Sequence, residues 1–120
     1  MSHTVDMQVD LRDAAALEKA CKRLKISFDK EEKNVKLYST TEKGMAVQLD
    51  GWRYPIVIRK DGTIKADNFN GSWGKEEKLR ELQAVYGLEK AKIEANRKGY
   101  QTTESLDKDG NFKLTIFVGN

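Results

Sequence analysis

The single histidine, the single cysteine and a few turn aspartates are the residues of this chain most able to do chemistry on their own. A thiolate–imidazole pair needs its two members within hydrogen-bond reach. His3 lies beside the amino terminus, whereas Cys21 falls on the apolar stripe of a helix, so nothing in the pattern brings them together. An imidazole at position three can close a square-planar copper or nickel site with the terminal amine and two amides. Ser2 is small enough to permit removal of Met1, which would shift that spacing. Asp61, Asp67 and Asp109 all lie near turns, where an aspartate already has the local task of bonding backbone amides. No Asp-x-Asp, His-Glu-x-x-His or calcium-loop spacing accompanies them, and no glycine-rich loop opens a helix to hold phosphate. The inventory therefore names no catalytic residue, no metal ligand and no cofactor, and points to a protein that binds rather than reacts.

Rings and cations are the richer signal. If Val35, Leu37, Val47, Leu49, Ile56, Ile58 and Ile64 face a core, strand alternation sends Lys36, Tyr38, Gln48, Arg53, Val57, Arg59 and Lys65 to the opposite face. Lys36, Arg53, Arg59 and Lys65 would neutralise phosphates there while Tyr38 or Trp52 stacks on a base, as on a nucleotide or nucleic-acid platform. The competing use of such a face is plain solvation, with Lys and Arg as its ordinary occupants. Asp6, Gln8 and Asp10 fall on the same side and dilute the charge. A second set, Trp52, Phe69 and Trp73, lies among glycine and asparagine turns and would anchor a partner such as a host protein. Its competing use is internal, Trp73 tucked under a helix and Phe69 closing the core.

The elements that must position these groups follow from hydrophobic period. Val5, Met7, Val9 and Leu11 alternate as a strand. Leu17, Ala20, Cys21 and Leu24 take helical spacing, which predicts a first helix over about residues 13–25 with Asp13 or Asp10 as its cap. The charged run 29–34 reads as a surface loop. Short alternating runs at Val35, Met45, Ile56 and Ile64 follow, punctuated by Lys43-Gly44, Asp50-Gly51 and Asp61-Gly62, and read as a meander. Ser72 caps a second helix of about 24 residues, with Gly87 as its weak point and Gly99 as its stop. Phe112, Leu114, Ile116 and Val118 complete a C-terminal hairpin. The expected architecture is α+β, one domain over 1–120, an antiparallel sheet with two helices packed on one face in the order β-α-β-β-β-β-α-β-β.

Composition bounds the reading. The chain has 120 residues, 22 Lys plus Arg against 19 Asp plus Glu, and a net charge of +3, so neither a polybasic tail nor an acidic DNA mimic is written in it. A chain of this size hides roughly two-thirds of its unfolded surface without metals or disulfides. One cysteine fits a reducing cytoplasm, and the polar, alternating start has neither a signal sequence nor a membrane span. A homo-oligomer is compatible with all of this.

An ordered set of features resembles one small family. The set comprises the opening Met1-Ser2-His3, the YPIVIRKDG strand and turn from Tyr54 to Gly62, Asp67 with Trp73 and Gly74, and a helix with Tyr86 at its middle. It ends in EANRKGY and FKLTIFV around Asp109-Gly110. Together these are similar to the hypothetical chloroplast open reading frame thirty-five family, a domain of unknown function found in plastids, cyanobacteria and tailed phages. The loop ADNFNGSWG and the short polar meander strands point to a phage-type member. The resemblance implies a fold and a small accessory protein, and carries no activity with it.

Overall fold

The computed structural model describes residues 4–7, by their backbone, and 10–118. Its elements are β1 (Thr4–Met7), α1 (Ala14–Leu24), β2 (Ser27–Lys36), β3 (Thr41–Gln48), β4 (Ile56–Ile58), β5 (Ile64–Asp67), a 3-10 turn at Phe69–Gly71, α2 (Glu76–Arg97), β6 (Gln101–Leu106) and β7 (Phe112–Phe117). This is the α+β class expected. Five strands form one antiparallel sheet in the order β1-β5-β4-β3-β2, and the last two form a separate sheet of their own. His3, Gln8 and Val9 lie outside the described residues.

Local chemistry explains the helices. Asp13 accepts from the amides of Ala15 and Ala16 at 3.1 and 3.2 Å, satisfying two orphan donors of the first turn of α1. The helix stops at Lys25, which adopts φ 59°. Ala16, Leu17, Ala20 and Cys21 make its buried stripe, and Leu79, Leu82, Val85 and Tyr86 make that of α2. Both stripes pack on Met45, Val47, Ile56, Ile58, Ile64 and Ala66 from one side of the large sheet. Ser72 does not cap α2. The cap position is Lys75, with no side-chain bond, while the Ser72 amide closes the preceding turn on the Phe69 carbonyl at 3.0 Å. α2 passes through Gly87 as one element.

The charged run 29–34 is strand rather than loop. Lys33, Asn34, Val35 and Lys36 pair with Gly44, Lys43, Glu42 and Thr41, with a register shift between Asp29 and Lys33. Cross-strand hydrogen bonding decides the conformation there, and the run 30–34, whose side chains are all exposed, needs no apolar alternation to form.

This ribbon curls. The register Met45↔Ile58 and Val47↔Ile56 runs the start of β3 toward the Arg59 end of β4, so a flat extension would carry the 37–40 turn past Arg59. Instead the Tyr38 ring lies 6.4 Å from Tyr54 and 5.1 Å from Trp73, at the other end of β4. The β2–β3 hairpin therefore doubles back over the sheet face opposite the helices. Leu37 and Val57 are fully buried, yet both stand outside the helix-side core. Gly44 sits where the ribbon meets β4, and a β-carbon there would overlap the Ile58 carbonyl. The opposite face is thus covered at its centre, not the open basic platform the alternation predicts.

Four charged groups fasten the β6–β7 hairpin to the helices. Arg23 reaches Glu89 at 3.0 Å and Glu104 at 2.8 Å, and Lys92 reaches Glu104 at 2.6 Å. Arg23 also lies 5.0 Å over the Phe112 ring.

Candidate functional site

Two loops build an aromatic cluster at the Pro55 end of β4. The Arg53 amide donates to the Trp73 carbonyl at 2.7 Å, and the Trp52 indole Nε1 donates to the Lys75 carbonyl at 3.0 Å. Within the second loop the Asn68 carbonyl accepts from the amides of Gly71 and Trp73, at 3.0 and 2.9 Å. Phe69 and Asn70 are held at φ 47° and 55°, a left-handed conformation costly for a bulky residue such as phenylalanine. That backbone brings the Phe69 ring to 4.9 Å from Trp73, nearly parallel at 23°. Tyr54 meets Trp73 edge-on at 5.7 Å, and Tyr38 arrives from the curled hairpin.

Arg53 completes the cluster. Its guanidinium carbon lies 4.9 Å over the Trp73 ring and 5.9 Å over that of Tyr54. Stacking holds the planar cation in place while its edge still offers donors. Among the described residues no carboxylate lies within 4.0 Å of it, in contrast to the paired Arg12, Arg23 and Arg80. Tyr38 is 57% exposed, the most open ring of the group. An exposed ring and an uncompensated, oriented guanidinium held on the same tryptophan suit a flat group that carries an anion.

The remaining sequence candidates divide. Lys36 is exposed, two residues before Tyr38, and pairs with Thr41 across the hairpin. Arg59 follows β4 and Arg53 precedes it, so the two stand at opposite ends of that strand. It lines a groove of about 360 Å³ with Glu32, Glu42, Lys43, Lys60 and Asp61, a lining of mixed sign. Thr63 bonds the Asp61 carboxylate through its hydroxyl at 2.6 Å and its amide at 3.0 Å, which holds Asp61 below the usual carboxylate range. Lys65 is half-buried on β5 between Val57 and Asp6. The five candidates, four cations and one ring, therefore do not share one patch; Tyr38 and Arg53 each reach Trp73.

Trp52 is 5% exposed, inside the core, with its ring packed against Gly74, so it offers nothing to a partner or to a stacking base. Phe69 and Trp73 are half-buried and belong to the cluster. Tyr54 is the member that alternation overlooks. Its signal is Pro55, which restricts the backbone of the preceding residue where the chain bends into β4. Burial pushes the Cys21 thiol up to about 12, and no group of three or more metal-ligating side chains occurs among the described residues. No described helix is long and apolar enough to cross a membrane.

Comparison with known proteins finds no matching family model, no matching curated protein and no matching solved structure.

Proposed function

We propose that this chain is a non-enzymatic accessory protein that binds an anionic ligand with a flat ring, a nucleotide or a single-stranded nucleic acid, at the Tyr38–Arg53 side of the aromatic cluster. One observation carries the reading: the Arg53 guanidinium lies on Trp73 without a carboxylate partner among the described residues, and the 57% exposed ring of Tyr38 lies 5.1 Å from the same Trp73. The base stacks on Tyr38 and the phosphate takes the guanidinium edge, with Lys36 adding charge from the hairpin. Such a protein works in a cytoplasm, that of the host where the gene is carried by a phage, and the resemblance to the chloroplast open reading frame family is part of this proposal. The adaptor alternative, docking to a host protein, retains only Phe69 and Trp73 of its three anchors.

Titration with a short single-stranded oligonucleotide, followed by tryptophan fluorescence at low and at high salt, tests it. Saturable binding that weakens with salt is expected. Absence of binding at low salt contradicts the electrostatic reading.

A further inference from the structure

The β6–β7 hairpin poses a separate question from the aromatic cluster. Among the described residues its two strands pair only with each other, so β7 keeps one edge unpaired there. An isolated two-stranded ribbon is marginal in water. This one also exposes its apolar side chains: Leu106 by 63%, Phe112 by 39%, Ile116 by 42%, Phe117 by 55% and Val118 by 72%. Natural edge strands are usually blunted by proline, by several charges or by a covering element. The stretch 112–118 has no proline and one charge, Lys113.

We propose that the β7 edge is a homodimer interface, in which two copies pair β7 antiparallel about a two-fold axis at Thr115 and join their hairpins into one four-stranded sheet. The strand is complementary to itself in that register. Phe112 falls opposite Val118 of the second copy and Leu114 opposite Ile116, so apolar residues meet apolar residues on one face. On the other face Thr115 meets Thr115, and Lys113 meets the Phe117 ring rather than another charge. A register centred on Lys113 would oppose two like charges. β6 is a poorer edge, because Leu106 is its one large apolar residue and Glu104 is engaged by Arg23 and Lys92.

The area suits a weak, reversible dimer. The five exposed side chains leave roughly 500 Å² of apolar surface on each copy, at the top of what a monomer ordinarily shows. Two copies then have at most about 1,000 Å² to cover, the lower bound for a biological interface, so the dimer is expected to be reversible.

Sedimentation equilibrium on the full chain over a dilution series tests the proposal. The wild-type chain should show a monomer–dimer equilibrium. Thr115→Lys places like charges at the axis and should weaken dimerisation about tenfold or more, as should Thr115→Glu. An equimolar mixture of the two variants should recover the dimer as a heterodimer. The Thr115 side chain is exposed, so circular dichroism should report an unchanged fold in both. A wild-type chain that stays monomeric at its highest attainable concentration overturns the proposal, whether or not a different protein is found on the hairpin. Dimerisation of Thr115→Lys as strong as that of the wild type, or failure of the mixture to associate, overturns it too.

Discussion

Arg53 is joined to Trp73 twice: its amide donates to the Trp73 carbonyl at 2.7 Å, and its guanidinium lies 4.9 Å over the Trp73 ring. The first contact belongs to the backbone and would survive any side-chain change; the second carries the charge. Binding and folding are therefore separable at this residue. Arg53→Ala should reduce oligonucleotide affinity and lower the slope of log affinity against log salt by about one, since one phosphate contact is lost. The thermal midpoint should move little, because the side chain is exposed. Salt-dependent titrations beside a thermal melt check both halves.

Tyr38 should behave as a stacking surface rather than a structural residue. Tyr38→Ala should cost about 1–3 kcal/mol of binding, the worth of one base–ring stack, whereas Tyr38→Phe should keep most of it. Calorimetric titration of the two variants distinguishes ring stacking from a contact made by the hydroxyl.

Three glycines should respond in opposite directions. A β-carbon at Gly44 would strike the Ile58 carbonyl, and one at Gly74 would overlap the Trp52 indole. Alanine at either should destabilise the fold by about 3 kcal/mol, the upper end for overpacking. Gly87 is exposed in mid-helix with open space around it, so Gly87→Ala should stabilise by about 1 kcal/mol. Urea denaturation of the three variants measures the signs.

Much of this architecture was legible in residue order. The α1 stripe at Leu17, Ala20 and Cys21 and the β4 pair Ile56 and Ile58 follow directly from period, because one-sided burial imprints itself on sequence. The curl of the β2–β3 hairpin was not legible. It depends on a register shift and on the missing side chain of Gly44, neither of which leaves an apolar pattern. For that reason alternation sent Val57 to the open side of the sheet, while in the fold the returning hairpin leaves it fully buried. The site was half legible. Tyr38 and Arg53 were recognisable as types, but their meeting at Trp73 needed the curl, and Trp52 was drawn inward by a hydrogen bond to the Lys75 carbonyl.

Acid should loosen the C-terminal hairpin first. Arg23 and Lys92 both bond Glu104 and hold its carboxyl at about 2, below the 4.5 of a free glutamate. A depressed carboxylate contributes stability above the unfolded value, and that contribution is lost as pH falls from about 4.5 through about 2. Glu104 remains about a quarter exposed, so water screens the pair and the contribution is on the order of 1 kcal/mol. Glu104→Gln should be less stable than wild type at neutral pH and should lose less on acidification. Amide exchange in β6 and β7 between pH 5 and 2 reads this loss locally.

The most direct test of the binding site is a titration of the ¹⁵N-labelled chain with a short single-stranded oligonucleotide, observing the two indole N–H signals and the arginine Nε signals. Trp73 and Arg53 should shift together and saturably, while Trp52, buried and bonded to the Lys75 carbonyl, stays in place. Shifts centred on Arg59 and the groove beside Asp61, or no shift at Arg53 when ligand is in excess, would contradict the account.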